Sequence, residues 1–296
     1  MTVPDLFDAR LLRNRRERAA RAGAMPDFLL RRATEEIIDR LTAIARQFSP
    51  VLTVGAAPGV LGDALGGFGE GPHIEMAPSA ALLSGSGLRV CGEEELLPFK
   101  DGSLGLIVSG LTLQSANDLP GTLVQFRRAL KPDGLFLGAV LGGQTLAELR
   151  EALIEAETEL EGGASPRVAP MADIRDYGAL LQRAGFALPV ADADLVTVTY
   201  ASPLNLLRDL RAMGATNVLT ARRKTFLRRA TLLRAMEIYQ ERFAAPAGGG
   251  RVRASFEIIH LAGWGPHESQ QKPLKPGSAA ARLADALGAT EHRLKS

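Results

Sequence analysis

Between Val51 and Gly59 a short apolar run breaks into Gly55-Ala56-Ala57-Pro58-Gly59, just ahead of a segment with helical character. Small residues at such a strand-to-helix turn let a ligand approach the main chain, with the N-terminus of the helix behind it. Gly55, Ala56, Ala57 and Gly59 therefore read as the holder of a nucleotide cofactor. Ordinary strand-to-helix turns share the spacing, so the reading depends on the residues at the ends of the neighbouring strands. Glu75, with Met76 beside it, closes a second extended segment, where a carboxylate can accept both hydroxyls of a ribose. Glu93 and Glu94, in Cys91-Gly92-Glu93-Glu94-Glu95, come after a third, where a carboxylate or its backbone can bind an adenine amino group. Ser109 ends a fourth, on the side where the reacting end of the cofactor would lie, and Gln114 stands five residues beyond it. Ser109 and Gln114 are the catalytic candidates: both can orient an acceptor, but the Gln114 amide cannot act as a base. Singly, each acid is an ordinary solvated loop residue. Set after consecutive strands, they converge on one site.

The elements that would position these residues can be read from periodicity. Strands are expected at Val51–Val54, His73–Met76, Leu88–Cys91, Leu104–Ser109 and Leu135–Leu141, with helices at Val60–Leu65, from Pro78, and at Leu119–Leu130 before the stop Lys131-Pro132-Asp133-Gly134. An amphipathic helix within Pro26–Gln47 leads into the first strand. Alternation of strand and helix predicts an α/β, doubly wound, mostly parallel sheet covered on both faces. The second half differs in texture. Helices at Thr145–Leu160 and Ile174–Ala184 precede a strand at Leu195–Tyr200, then a helical block at Pro203–Met213 and Arg222–Phe243, then a last strand at Phe256–Ala262. The expected organisation is an N-terminal helical extension over 1–48, a cofactor domain over 49–270 with a helical insertion at 203–243, and a loosely held tail over 271–296 with a short helix at Ala279–Leu287.

With 296 residues, 46% of them hydrophobic, the chain can bury a large core. A net charge of +2 offers no general argument for nucleic acid as a partner. Arginines concentrate at Arg10, Arg13, Arg15, Arg16, Arg18 and Arg21, a pattern that reads as a solvated helix face, with an anionic partner or membrane surface as the functional alternative. Asp8 and Glu17 set that stretch apart from a transit peptide, and Thr2–Leu12 has no hydrophobic core like a secretory signal. No apolar run reaches the roughly 20 residues of a membrane span. The single Cys91 excludes an internal disulfide and fits a reducing compartment, so a cytoplasmic location is expected. His73, His260, His267 and His292 show no ligand spacing and no metal is expected; His260 reads as a core residue, and His267 as structural, closing a sheet edge or the cofactor cleft.

Gly55-Ala56-Ala57-Pro58-Gly59, Glu75, Glu93, Leu97-Pro98-Phe99 through Ser109, and Leu130-Lys131-Pro132-Asp133-Gly134 resemble the ordered motifs of class I S-adenosylmethionine-dependent methyltransferases over roughly residues 50 to 200. The resemblance implies a Rossmann-like seven-stranded sheet with an antiparallel last strand, and S-adenosyl-L-methionine as cofactor. Phe7-Asp8-Ala9-Arg10, Asn117-Asp118-Leu119-Pro120, Gly142-Gly143-Gln144-Thr145 and Gly263-Trp264-Gly265-Pro266 are similar, over nearly the whole chain, to a subfamily of complex I assembly factors with an arginine hydroxylase role. Malonyl-carrier-protein methyltransferases are more distant by the same motifs. The chain departs from the family pattern at Thr53 (usually an acid), Ala57 (usually glycine), Leu104-Gly105 (for Phe-Asp) and Leu113-Gln114-Ser115 (for Leu-His-Trp).

The resemblance and the departures from it point to three functions. The first is methyl transfer to a protein or small-molecule acceptor. The second is hydroxylation of an arginine on a complex I subunit, which needs an oxidant. The third is a non-catalytic assembly scaffold, prompted by Thr53, Ala57 and Gln114.

Overall fold

The strand β1 (Val51–Gly55), buried through its first four residues, is an interior strand of the sheet. It pairs in parallel with β2 (His73–Ala77) and β4 (Leu104–Gly110), and the last residues of β1 and β4, Gly55 and Gly110, stand side by side. Every residue of β4 is buried, as expected for a parallel strand with helices above and below. The computed structural model describes residues 4–23, 25–44, 46–69, 71–84, 87–246 and 249–271. The seven strands, completed by β3 (Leu88–Cys91), β5 (Leu130–Leu141), β6 (Ala187–Tyr200) and β7 (Val252–Trp264), run in the order β3-β2-β1-β4-β5-β7-β6. β7 is antiparallel to both neighbours. The chain therefore winds outward from β1 to β3, returns, and continues from β4 the other way, which makes the carboxyl ends of β1 and β4 the switch point where such sheets bind ligands.

Two cores sandwich the sheet. One packs α2 (Phe28–Ile44), α5 (Ala147–Glu161) and α8 (Arg229–Arg242) on the first face. The other packs α4 (Leu119–Ala129) and α6 (Ile174–Ala184), where Phe126, Phe136 and Phe186 form a chain of ring contacts at 5.5 Å. Each buried ring contributes on the order of 2 kcal/mol from water exclusion. Residues 4–266 belong to one compact unit, and a second begins at His267, of which 267–271 are described. There His267 Nδ1 lies 2.7 Å from Ser269 Oγ. The expected tail helix at Ala279–Leu287 lies outside the described residues.

Several elements differ from the expectation. The segment after Pro78 forms one 3₁₀ turn, Ala80–Leu82, rather than a helix: Ser79 Oγ caps it, and Leu83 already returns to extended backbone. β5 begins at Leu130, five residues early. Its pairing with β4 jumps from Leu104↔Leu130 to Leu106↔Leu135, so Lys131–Gly134 forms a bulge, with Asp133 at φ 60°, instead of a plain helix stop. β6 and β7 both extend well beyond the expected strands, because each supplies the other's hydrogen-bond partners. In the insertion, α7 (Pro203–Ala212) and α8 are helical, but residues 213–228 are not: Arg222 donates to Leu219 O and pairs with Asp8 of the N-terminal segment.

Gly105 accounts for one departure from the family pattern. A Cβ there would come within 2.6 Å of Ser49 N and 2.8 Å of Ser49 O, so the aspartate of the pattern has no room on this backbone. Thr53 is buried, and its Oγ1 donates to Ile74 O across to β2.

Candidate functional site

The chain leaves β1 in a turn that hydrogen bonds sideways, Ala56 N–H donating to Gly110 O at 2.9 Å. It enters α3 (Val60–Leu65) through Gly59, which adopts φ +75° and lies so close to Ser84 that a Cβ would meet its Oγ at 2.6 Å. The positive φ favours glycine there, and any Cβ would also make the Ser84 hydroxyl turn away. Glu75 fastens this turn: Oε1 accepts Gly59 N–H at 3.1 Å and Oε2 accepts Ser84 N–H at 3.0 Å. Met76, in contrast, points its side chain into the core at 0% exposure.

At the ends of β3 and β4 the acids divide their work. Glu93 pairs with Arg13 of α1 (Ala9–Arg21) at 3.1 Å. Glu95 accepts Asn117 N–H and Asp118 N–H at 2.9 and 3.0 Å, holding the loop after β4. A crevice of about 50 Å³ opens between them, with Arg13, Arg16, Glu93, Glu94, Thr112 and Ser115 on its walls. Ser109, expected near the reacting group, is fully buried with its Oγ 3.0 Å from Thr112 Oγ1, and it lines neither the crevice nor the cavity beside it.

That cavity has a volume of about 400 Å³. Ala56, Ala57, Leu111 and Gln114 line it at the cofactor-loop end, so the methyl that distinguishes Ala57 from the family's glycine lies on its surface. Gln114 Nε2 donates to Leu111 O at 2.7 Å, while its Oε1 is buried without a hydrogen-bond partner. An orphan acceptor beside a cavity is costly unless a ligand supplies a donor. The turn, Glu75 and this acceptor fit the amino-acid nucleoside that the motifs imply.

Over the cavity lies a roof made of Leu12 and Arg16 from α1, Leu207 and Leu210 from α7, and the 213–218 segment. It is tied down by contacts between distant motifs. Asn117 accepts Phe7 N–H at 2.8 Å and donates to Phe7 O at 3.1 Å, so two motifs far apart in the sequence bind one another. Asp8 N–H donates to Val218 O at 2.8 Å and its carboxylate pairs with Arg222 at 3.2 Å; the bond from Leu11 N–H, foremost, and Arg222 hold that carboxyl below its ordinary range.

Arg16 borders both the crevice and the cavity. Burial lowers its pKa, with Glu94 opposing, and its guanidinium makes no hydrogen bond or salt bridge among the described residues. The sequence showed it only as one arginine in a basic helix. What marks it is the missing partner. Arg167, also on the wall, is held by the fully buried Glu157, Nε to Oε1 at 2.8 Å. Among the described residues no three His, Cys, Asp or Glu side chains cluster as a metal-ligand set. His260 is 4% exposed on β7, and burial holds its imidazole below the ordinary 6.5.

Comparison with known proteins agrees with this geometry. A methyltransferase domain family matches residues 72–138. The zebrafish (Danio rerio) mitochondrial arginine-hydroxylase NDUFAF5 is 37% identical over 95% of this chain and 89% of its own length. The human (Homo sapiens) protein of the same name is also 37% identical, over 95% of this chain and 83% of its own. A malonyl-[acyl-carrier protein] O-methyltransferase from Halorhodospira halophila is 38% identical over 60% of this chain and 57% of its own length. In structure, the YcgJ protein of Bacillus subtilis superposes with a TM-score of 0.53 at 14% identity, over 80% of this chain and 99% of its own, a likeness of fold alone. With that identity sustained along nearly the whole length of both chains, this methyltransferase-fold protein belongs to the family of the mitochondrial arginine-hydroxylase NDUFAF5.

Proposed function

We propose that this chain binds S-adenosylmethionine at the switch point and transfers its methyl group to an acceptor held in the roofed cavity. The observation that carries the reading is the continuity of the site: Ala56 and Ala57, of the cofactor loop, are also the floor of the cavity. When bound, the cofactor supplies an activated methyl group, and the protein's part is placement and exclusion of water. Glu75 accepts the ribose hydroxyls, as Gly59 N–H and Ser84 N–H already orient its carboxylate. Glu93 and Glu94 border the adenine crevice, the backbone of Gly55 to Ala57 receives the amino-acid end, and Gln114 Oε1 takes a donor from that end. The Ser109 hydroxyl, turned onto Thr112, shapes the loop after β4 rather than touching the acceptor.

A second reading is arginine hydroxylation, which the names of the 37% identical relatives favour, with a respiratory complex I subunit as partner in keeping with the sequence resemblance. A cytoplasmic location rests on the lone Cys91; those relatives are named as mitochondrial, and among the described residues no helix is long and apolar enough to cross a membrane.

Calorimetry with S-adenosylmethionine and S-adenosylhomocysteine separates these readings from a scaffold role. Micromolar binding that falls by about a hundredfold or more in Glu75→Ala, the loss of two charge-assisted hydrogen bonds, is the expected result. Absence of binding to either nucleoside by the unaltered chain overturns the cofactor reading. Mass spectrometry of candidate acceptors then distinguishes an added methyl group from an added oxygen.

A further inference from the structure

The charged lining of the 400 Å³ cavity is predominantly positive. Its charged lining residues are Arg16, Arg167, Arg211 and a single acid, Asp27. Asp27 is engaged by Arg31 at 2.7 Å, and Arg167 by Glu157. The Arg16 and Arg211 guanidinium groups make no hydrogen bond or salt bridge among the described residues, and Arg16 is the half-buried one of the two. Glu94, on the crevice that Arg16 also borders, acts on it without a salt bridge, and a cation taken partly out of water with no counterion in contact is unfavourable, a cost that an anionic ligand relieves. The rest of the surface is hydrocarbon, including Leu29, Leu30, Leu149, Leu210, Val218 and Phe256, and the volume falls in the small-molecule range.

The lining also lacks a free base. Among the described residues it contains no histidine, lysine, tyrosine, cysteine or glutamate, and its one carboxylate, Asp27, is the one that Arg31 holds. An amine, phenol or guanidinium must surrender a proton to become a nucleophile, and this wall offers nothing uncommitted to take it. A carboxylic acid, with an ordinary pKa near 4, is ionised beforehand at neutral pH.

Resting on the methyltransferase reading, we infer that the acceptor is the carboxylate of an apolar small molecule, with its hydrocarbon body against the leucines of the cavity and its charge drawn by Arg16. The carboxylate oxygen forms the bond to the methyl carbon as the carbon–sulfur bond breaks with its electron pair remaining on sulfur. The negative acceptor and positive sulfonium become a neutral methyl ester and a neutral thioether, and no proton moves. Arg16 acts in this scheme as a binding and specificity residue.

The test uses the full chain saturated with S-adenosylhomocysteine and three probes that share one alkyl body: decanoate, decanol and decylguanidinium. Calorimetry should give decanoate at least about tenfold tighter than either of the others, a difference of one charge-assisted contact. Arg16→Gln should erase that gap and Arg16→Lys should keep part of it. Incubation of the unaltered chain with decanoate and methyl-labelled S-adenosylmethionine should yield labelled methyl decanoate. Decylguanidinium or decanol binding as tightly as decanoate overturns the inference. So does Arg16→Gln weakening S-adenosylhomocysteine but not 5′-methylthioadenosine, which lacks the amino-acid end, because Arg16 would then serve the carboxylate of the cofactor. If neither nucleoside binds the unaltered chain, the methyltransferase reading fails, whereas the decanoate preference still reports on the anion site by itself.

Discussion

At the cofactor-loop end of the site, the side-chain bonds that set the geometry join near neighbours in sequence: Glu75 reaches Gly59 across 16 residues and Ser84 across 9. At the roof, the bonds join residues far apart in the chain. Phe7 meets Asn117 across 110 residues, Arg15 donates to Asn217 O across 202, and Asp8 pairs with Arg222 across 214. The loop end is assembled by consecutive β-α units whose order is a local matter. The roof exists only once the chain has closed on itself, and its entropy cost is met by long-range contacts. The two regions should therefore respond to mutation independently, the loop end through ligand affinity and the roof through local stability.

The largest expected effect is at the cavity wall. Glu157→Ala strips the Arg167 guanidinium of its carboxylate and Ser165 N–H of its acceptor in a buried setting, and should cost about 3–5 kcal/mol in chemical denaturation. A loss under about 1 kcal/mol would mean that the pair does not hold the wall, and the contrast with the loop end would weaken. Next comes Asn117→Ala, which removes both bonds to the Phe7 backbone and should lower local stability there by about 1–3 kcal/mol. Hydrogen exchange should show faster exchange at the Phe7 and Asp8 amides with the Ala56 amide unchanged; matching acceleration at both ends would break the comparison. Smallest is Arg13→Ala, cutting the ion pair from α1 to Glu93, whose partners are each more than 40% exposed. Thermal and denaturant midpoints should correspond to a change below about 1 kcal/mol. Any shift in S-adenosylhomocysteine affinity in this variant measures how far the roof influences the adenine end.

Much of the sheet was legible because its signals are local. The apolar run before Gly55, the uniform burial of Leu104–Gly110 and the helix at Ile174–Ala184 stem from composition and periodicity within single elements. The misjudged segments are those where a neighbour decides. A helix after Pro78 has adequate propensity, but the chain turns back after Leu82 to bring Ser84 onto Glu75. The early start of β5 depends on its pairing with Leu104, and the non-helical course of 222–228 on Arg222 meeting Asp8. The site divides in the same way. Gly59 and Glu75 could be picked out by position after a strand, whereas Ser109 and Met76 satisfied that rule equally well and lie buried.

Sequence by itself determined the alternation of strands and helices, the place of the turn that favours a glycine at φ +75°, and the acids at the ends of successive strands, because backbone conformation and amphipathic periodicity are properties of short stretches. Only the tertiary structure decided which charges are satisfied. Six arginines between Arg10 and Arg21 look alike in the chain; Arg13 finds Glu93, Arg15 finds the carbonyl of Asn217, and Arg16 is left bordering an apolar cavity without a partner among the described residues. Pairing and desolvation depend on distances through space that no local pattern encodes.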